Sequence, residues 1–310
     1  MLQDLRFAVR QLVRAPAFTA VAVLSLALGI GANTTIFAVV NAVLLQPLPV
    51  RDAGTLVAVF TTDERNRGRF FDFMPSSGPN LEDYAEHNAV FQGLSRQTGF
   101  RVAFASEHGE PEQVGAEMVS GSYFDLLGVV PAHGRGFGPD EDRTPGASLV
   151  TVLSHAFWQR RLGGDVAVVG RTVTLNGHAF TVVGVAPPGF KGVNGIGGPA
   201  LWVPTMAHPQ LATGFLKANF DSRRALLWNG VGRLAPGVTL AQAEANLKAI
   251  AAQLASTYPT ENAGRSVVLL PLAQATINPG FRRNFVRTGG LLMAVAVSYT
   301  HLTLPTNREV

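Results

Sequence analysis

The stretch APAFTAVAVLSLALGIGANTTIFAVVNAVLLQPLPV, Ala15 to Val50, runs for 36 residues without Asp, Glu, Lys or Arg. About 20 apolar residues cross a bilayer core as a helix, because lipid offers backbone groups no partner but the helix's own. The run therefore predicts a transmembrane helix over residues 16–45, roughly 45 Å long at 1.5 Å per residue. Its densest part is Ala17 to Leu28, after which Gly29, Gly31, Asn33, Thr34 and Thr35 dilute it. A cleavable signal peptide would share the basic start, but its apolar part is shorter and closes on a small-x-small site, which is not evident here.

The flanks orient the helix. Arg6, Arg10 and Arg14 precede it with Asp4 as the only acid, whereas Arg51 and Asp52 beyond it cancel. Positive charge stays on the cytoplasmic side, so the N-terminus is expected in the cytoplasm and everything from Arg51 onward outside it. Leu5, Val9 and Leu12 recur at helical spacing, as do the three arginines, which makes residues 1–15 a cytoplasmic amphipathic segment. Inside the helix, Ser25 and Gly29, and Ala27 and Gly31, are small residues four apart. Such pairs let a second membrane helix approach closely.

Composition narrows the function. The chain has 25 basic and 21 acidic residues, a net +4 with no polybasic run, which argues against nucleic-acid binding. It contains no Cys, so disulfides, thiol chemistry and cysteine metal sites are excluded. The histidines at 87, 108, 133, 155, 178, 208 and 301 are scattered, with no pair at ligand spacing. No serine occupies a nucleophile elbow, and Gly29-Ile30-Gly31 lies inside an apolar helix without a phosphate-binding loop. No catalytic residue, cofactor or metal site is predicted, and the chain is read as not an enzyme. Acid pairs assembled by folding stay open as the alternative.

The region between the helix and Phe285 is long enough for a sizeable core. Thr55 to Thr61 reads as a strand. Asn80 caps an expected helix from Leu81 to Leu94 that turns Tyr84, Phe91 and Leu94 inward. Two strands follow, Arg101 to Ser106 and Gln113 to Val119, then a short helix from Tyr123 to Leu127 between Ser122 and Gly128. Pro131 to Ala147 is a Gly/Pro-rich loop whose acids Asp140, Glu141 and Asp142 lack the alternating ligands of a calcium loop. Ser148 to Leu153 is a strand, and Ser154 caps a helix from His155 to Leu162. Arg171 to Leu175 and His178 to Val185 flank Asn176-Gly177, the expected two-residue hairpin turn, since both central positions need positive φ. Residues 187–199 form a loop and Leu201 to Val203 an edge strand. Ala225 to Leu234 is a strand, and Thr239 caps a helix that carries Leu240, Ala243, Leu247, Ile250 and Leu254 to Tyr258. Ser266 to Leu272 closes an α+β extracytoplasmic domain over residues 51–280, in one or two lobes.

Residues 281–297 read as the start of a second transmembrane helix, apolar from Leu291 to Val297 behind Arg282, Arg283 and Arg287. The pattern then breaks into SYTHLTLPTNREV, residues 298–310, which resembles a translated adapter or assembly artefact and is expected to be a non-native tail.

Residues 3–50, with VSGSYFDLLGVVPAHGRGF (Val119 to Phe137), VTVLSHAFWQRRLGGD (Val150 to Asp165), VVGRTVTLNGHAFTVVGVAPPGF (Val168 to Phe190) and VGRLAPGVTLAQAEANLKAIAAQLASTYP (Val231 to Pro259), carry a family likeness. They resemble MacB/FtsX-type ABC transporter permeases, in particular the duplicated orphan permeases of Acidobacteria. The resemblance implies the bacterial inner membrane, a cytoplasmic N-terminus, a periplasmic core domain between the first and second crossings, and two further crossings. It implies a homodimer or pseudo-dimer surrounded by membrane lipid, and a cytoplasmic ABC ATPase partner that binds the nucleotide in place of this subunit. The expected function is that of a permease or mechanotransmission subunit fragment coupling ATPase action to periplasmic substrate handling or export. A single-anchor extracytoplasmic binding or sensor module is the alternative.

Overall fold

The computed structural model describes residues 7, 10, 12–40, 48–66, 72–106, 110–193, 197–276 and 278–280. Residues 47–280 form one compact unit, and the N-terminal helix belongs to another. The expected second membrane helix (281–297) and tail (298–310) lie outside the described residues, as do Arg6 and residues 41–45 of the expected first crossing.

Helix α1, Pro16–Val40, turns apolar side chains outward: Phe18, Val21, Leu24, Leu28 and Ile30 are each more than half exposed. Thr34 and Thr35 return their hydroxyls to the carbonyls of Ile30 and Gly31 at 2.8 Å, which satisfies a polar group without a neighbour. Among the described residues no helix is long and apolar enough to cross a membrane.

In the larger unit the described strands are β1 (Leu56–Asp63), β2 (Phe91–Ala105), β3 (Glu112–Val119), β4 (His133–Gly134), β5 (Val150–Leu153), β6 (Thr172–Leu175), β7 (His178–Val185), β8 (Leu201–Pro204), β9 (Asn229–Leu234) and β10 (Arg265–Pro271). They join one sheet in the order β10-β1-β9-β2-β3-β8-β5-β7-β4, with β6 paired to β2 and β7. Pairing is antiparallel except at β3–β8 and β5–β7. The helices are α2 (Gly78–His87), α3 (Tyr123–Leu127), α4 (His155–Leu162), α5 (His208–Leu211), α6 (Gly214–Asn219), α7 (Leu240–Thr257), α8 (Pro259–Asn262) and α9 (Leu272–Ala275).

Strand β1 shows why the sheet is covered on both sides. Successive side chains point to opposite faces. Val57 and Val59 join one core with Leu81, Tyr84 and the buried line Ala243, Leu247, Ala251 and Leu254 of α7. Leu56, Ala58 and Phe60 join a second core with Tyr123, Phe124, Leu127 and Trp202. Helix α7 is fixed at its start by a reciprocal pair, the Gln242 N–H donating to Thr239 Oγ1 and the Thr239 N–H donating to Gln242 Oε1.

Three expectations are corrected. Helix α2 is capped by Ser77 rather than Asn80 and stops at His87 instead of Leu94. Asn88 ends it: its amide donates to the carbonyls of Tyr84 and Ala85 while its Oδ1 accepts from the N–H groups of Val90 and Phe91. Phe91 and Leu94 therefore lie in β2, opposite Leu234 and Gly232 of β9. Leu201 to Val203 is no edge, since β8 sits between β3 and β5 with all four residues buried. Nor do two lobes form, because one core draws on β1 and β10 at one end of the sheet and on β5 and β7 at the other.

Candidate functional site

The chain enters the larger unit through residues 48–55, and one side chain fastens that segment. Arg233, near the end of β9, is 5% exposed. Its Nε donates to the Leu126 carbonyl at 2.8 Å, Nη2 to the Arg51 carbonyl at 2.8 Å, and Nη1 to Thr55 Oγ1 at 2.7 Å and, more weakly, to the Asp52 carbonyl at 3.4 Å. The planar guanidinium fork can serve acceptors from two segments at once, which a lysine ammonium cannot match in geometry. Leu126 lies in the last turn of α3, where carbonyls lack helical donors, so the cation meets unsatisfied negative ends. Burial, and then the neighbouring Arg51, lower the Arg233 pKa against the opposing charge of Asp52. A second tie runs from the Arg51 N–H to the Leu127 carbonyl at 2.9 Å. Asp52 adopts φ 44, and the short turn Ala53–Thr55 closes on its carbonyl.

The segment that follows β10 packs at the same end. Helix α9 lies against the turn Ala53–Thr55, with Leu272 buried in the core that holds Leu56 and Ala58. Beyond it, Asn278 donates from Nδ2 to the Phe73 carbonyl at 2.7 Å. Incoming and outgoing segments are thus neighbours, and Arg233 ties the incoming one to β9 and α3. Three of its four hydrogen bonds go to the incoming segment, at Arg51, Asp52 and Thr55, and the fourth goes to Leu126 of α3.

The sequence-predicted residues fall elsewhere. Ser25, Ala27, Gly29 and Gly31 all lie on α1, and a side chain built at Gly31 would meet no atom within 4 Å. Arg10 and Arg14 are exposed. Asn176 and Gly177, at φ 49 and 84, join β6 to β7, which pair as Leu175 opposite His178. Asn176 also holds the hairpin to β2, its Oδ1 accepting from the Ala103 N–H at 2.9 Å. Among the described residues no group of three His, Asp or Glu side chains could hold a metal ion. The acidic loop is structural: Glu141 pairs with Arg135 at 2.5 Å and accepts from the Gly138 N–H, while Thr205 donates to Asp142.

Arg233 is the residue that sequence reading missed, though a signal was present. Side chains two apart on a strand share a face, and Val231, two positions earlier, is buried. A charge at a core-facing position of a strand marks a side chain with a fixed set of partners.

A profile of the MacB-like periplasmic core domain matches residues 19–250. Among curated proteins none matches the sequence. Solved structures with a similar fold include a domain of a protein described as a permease from Porphyromonas gingivalis, 16% identical, covering 72% of this chain and 92% of that one at a TM-score of 0.50. The periplasmic region of MacB from Actinobacillus actinomycetemcomitans is 13% identical, with coverage of 76% and 93% and a TM-score of 0.50. The extracellular domain of the noncanonic ABC-type transporter YknZ from Gram-positive bacteria is 14% identical, with coverage of 69% and 99% and a TM-score of 0.48.

Proposed function

Because this chain belongs to the MacB-like periplasmic core domain family, we propose that it acts as a permease or mechanotransmission subunit of an ABC-type transport system. In this reading the domain is periplasmic, and the uncharged run Ala15 to Val50 anchors it in the bacterial inner membrane with Arg6, Arg10 and Arg14 on the cytoplasmic side. The outward apolar side chains of α1 suit lipid or a second membrane helix, the latter at Ser25, Ala27, Gly29 and Gly31. A cytoplasmic ABC ATPase supplies the energy, and the full-length permease works as a homodimer or pseudo-dimer.

The observation that carries the coupling role is the Arg233 junction. Motion of a membrane helix reaches the domain through the segment that leads into β1. Three hydrogen bonds from one buried guanidinium tie that segment to β9, and a fourth joins β9 to α3. A loosely held segment would absorb such a motion; this one is fastened to an interior strand of the sheet, since β9 lies between β1 and β2. Topology is the first test. Reporter fusions after Asp63 and after Gly237 are expected to show periplasmic activity only, and cytoplasmic activity at both positions would overturn the reading.

A further inference from the structure

A cavity of about 220 Å³ lies between the sheet and the segment that leaves the domain. Ala58, Phe60 and Val231 form its apolar wall, and Leu272, Ala275 and Thr276 line it from the outgoing side. At one wall, Gln97 of β2 and Asn229 of β9 stand opposite each other in register. Gln97 is only 2% exposed, and its Oε1 accepts no hydrogen bond. A buried acceptor without a donor is costly and uncommon in folded proteins, so it marks a place where a donor belongs.

We propose that this cavity binds a small neutral amphiphile that carries an N–H or O–H donor on a short apolar body, of the class of a fatty primary amide. The donor serves Gln97, and the body lies against Ala58, Phe60, Val231 and Leu272. Charge is selected against, because no described residue lining the cavity is ionisable and a buried ion there would find no counter-charge. The lining sets the apolar side chains of Ala58, Phe60, Val231 and Leu272 beside the polar ones of Gln97, Asn229, Thr276 and Asn278, and polar groups so placed fix a small ligand's orientation. Because Leu272, Ala275, Thr276 and Asn278 line the cavity from the outgoing side, occupancy holds those residues against the sheet.

The site does not depend on a transport role, and equilibrium binding tests it without an ATPase. The full chain in phosphatidylcholine nanodiscs is titrated with 6,6,6-trifluorohexanamide and followed by fluorine NMR, with protein-free discs as the baseline for partition into lipid. Saturable binding is expected. Gln97→Leu should weaken it about fivefold, the loss of one neutral hydrogen bond. Ala275→Leu, which fills the cavity from its outgoing side and leaves β2 untouched, should weaken it at least tenfold. The matching carboxylate, 6,6,6-trifluorohexanoate, should bind at least tenfold more weakly than the amide. No saturable binding above the protein-free discs, or equal binding in wild type and both variants, overturns the proposal.

Discussion

Arg233 is a buried cation held by carbonyls and a hydroxyl rather than by a carboxylate. Removing one side of such an arrangement strands the other, so Arg233→Met should cost about 3 kcal/mol, measured by urea unfolding of the domain. Arg233→Lys should recover only part of that loss, since a single ammonium cannot reach α3 and the incoming segment together. An unchanged midpoint in the Met variant would remove the structural basis of the junction. Glu141 behaves differently because it has a partner and an acid-range titration. Burial raises its pKa, but the Arg135 guanidinium and the Gly138 N–H outweigh this and leave it below the ordinary value of 4.5. A folded value lower than the unfolded one means stability present above pH 4.5 and lost as pH falls through the folded value. Glu141→Gln should therefore destabilise the domain at pH 7, and the difference from wild type should fade below pH 4.5 in thermal melts taken across that range.

Elements whose limits depend on neighbouring residues were the readable ones. Helix α4 begins where Ser154 Oγ accepts from the Phe157 N–H and stops at Gly163, which takes φ 64. Both are properties of a few residues, so they are visible without the fold. The hairpin turn is of the same kind. Gly177 sits at φ 84 with open space around the position of a Cβ, so the cost of Gly177→Val is conformational rather than a clash. It should amount to about 1 kcal/mol or more, read as a lower melting temperature of the domain. An identical melting curve would count against a left-handed backbone at that position. Strand β2 was the least readable element. FQGLSRQTGFRVAFA has no clean alternation, because the strand pairs with β9 along its first half, β3 along its second and β6 at its end.

At the scale of the whole molecule, one sheet in place of two lobes makes a prediction about cooperativity. Residues 47–280 should unfold in urea as one transition, with Trp158, Trp202 and Trp228 fluorescence and far-ultraviolet dichroism coinciding, because a shared core links both ends of the sheet. Two separated transitions would restore the two-lobed view. By itself, the sequence determined the charge-free run of Ala15 to Val50, the family likeness, the mixed α and β character, and the ends of α4 and α7. Each of these is written in contiguous residues or in short-range periodicity. Only the tertiary structure decided that β8 is central, that β2 spans three partners, that Arg233 fastens the incoming segment, and that Gln97 faces a cavity without a donor. Those outcomes join residues such as Arg233 and Arg51, or Gln97 and Leu272, that are far apart in sequence. Strand pairing between distant segments is chosen by the fit of whole faces, and no local pattern encodes which partner wins.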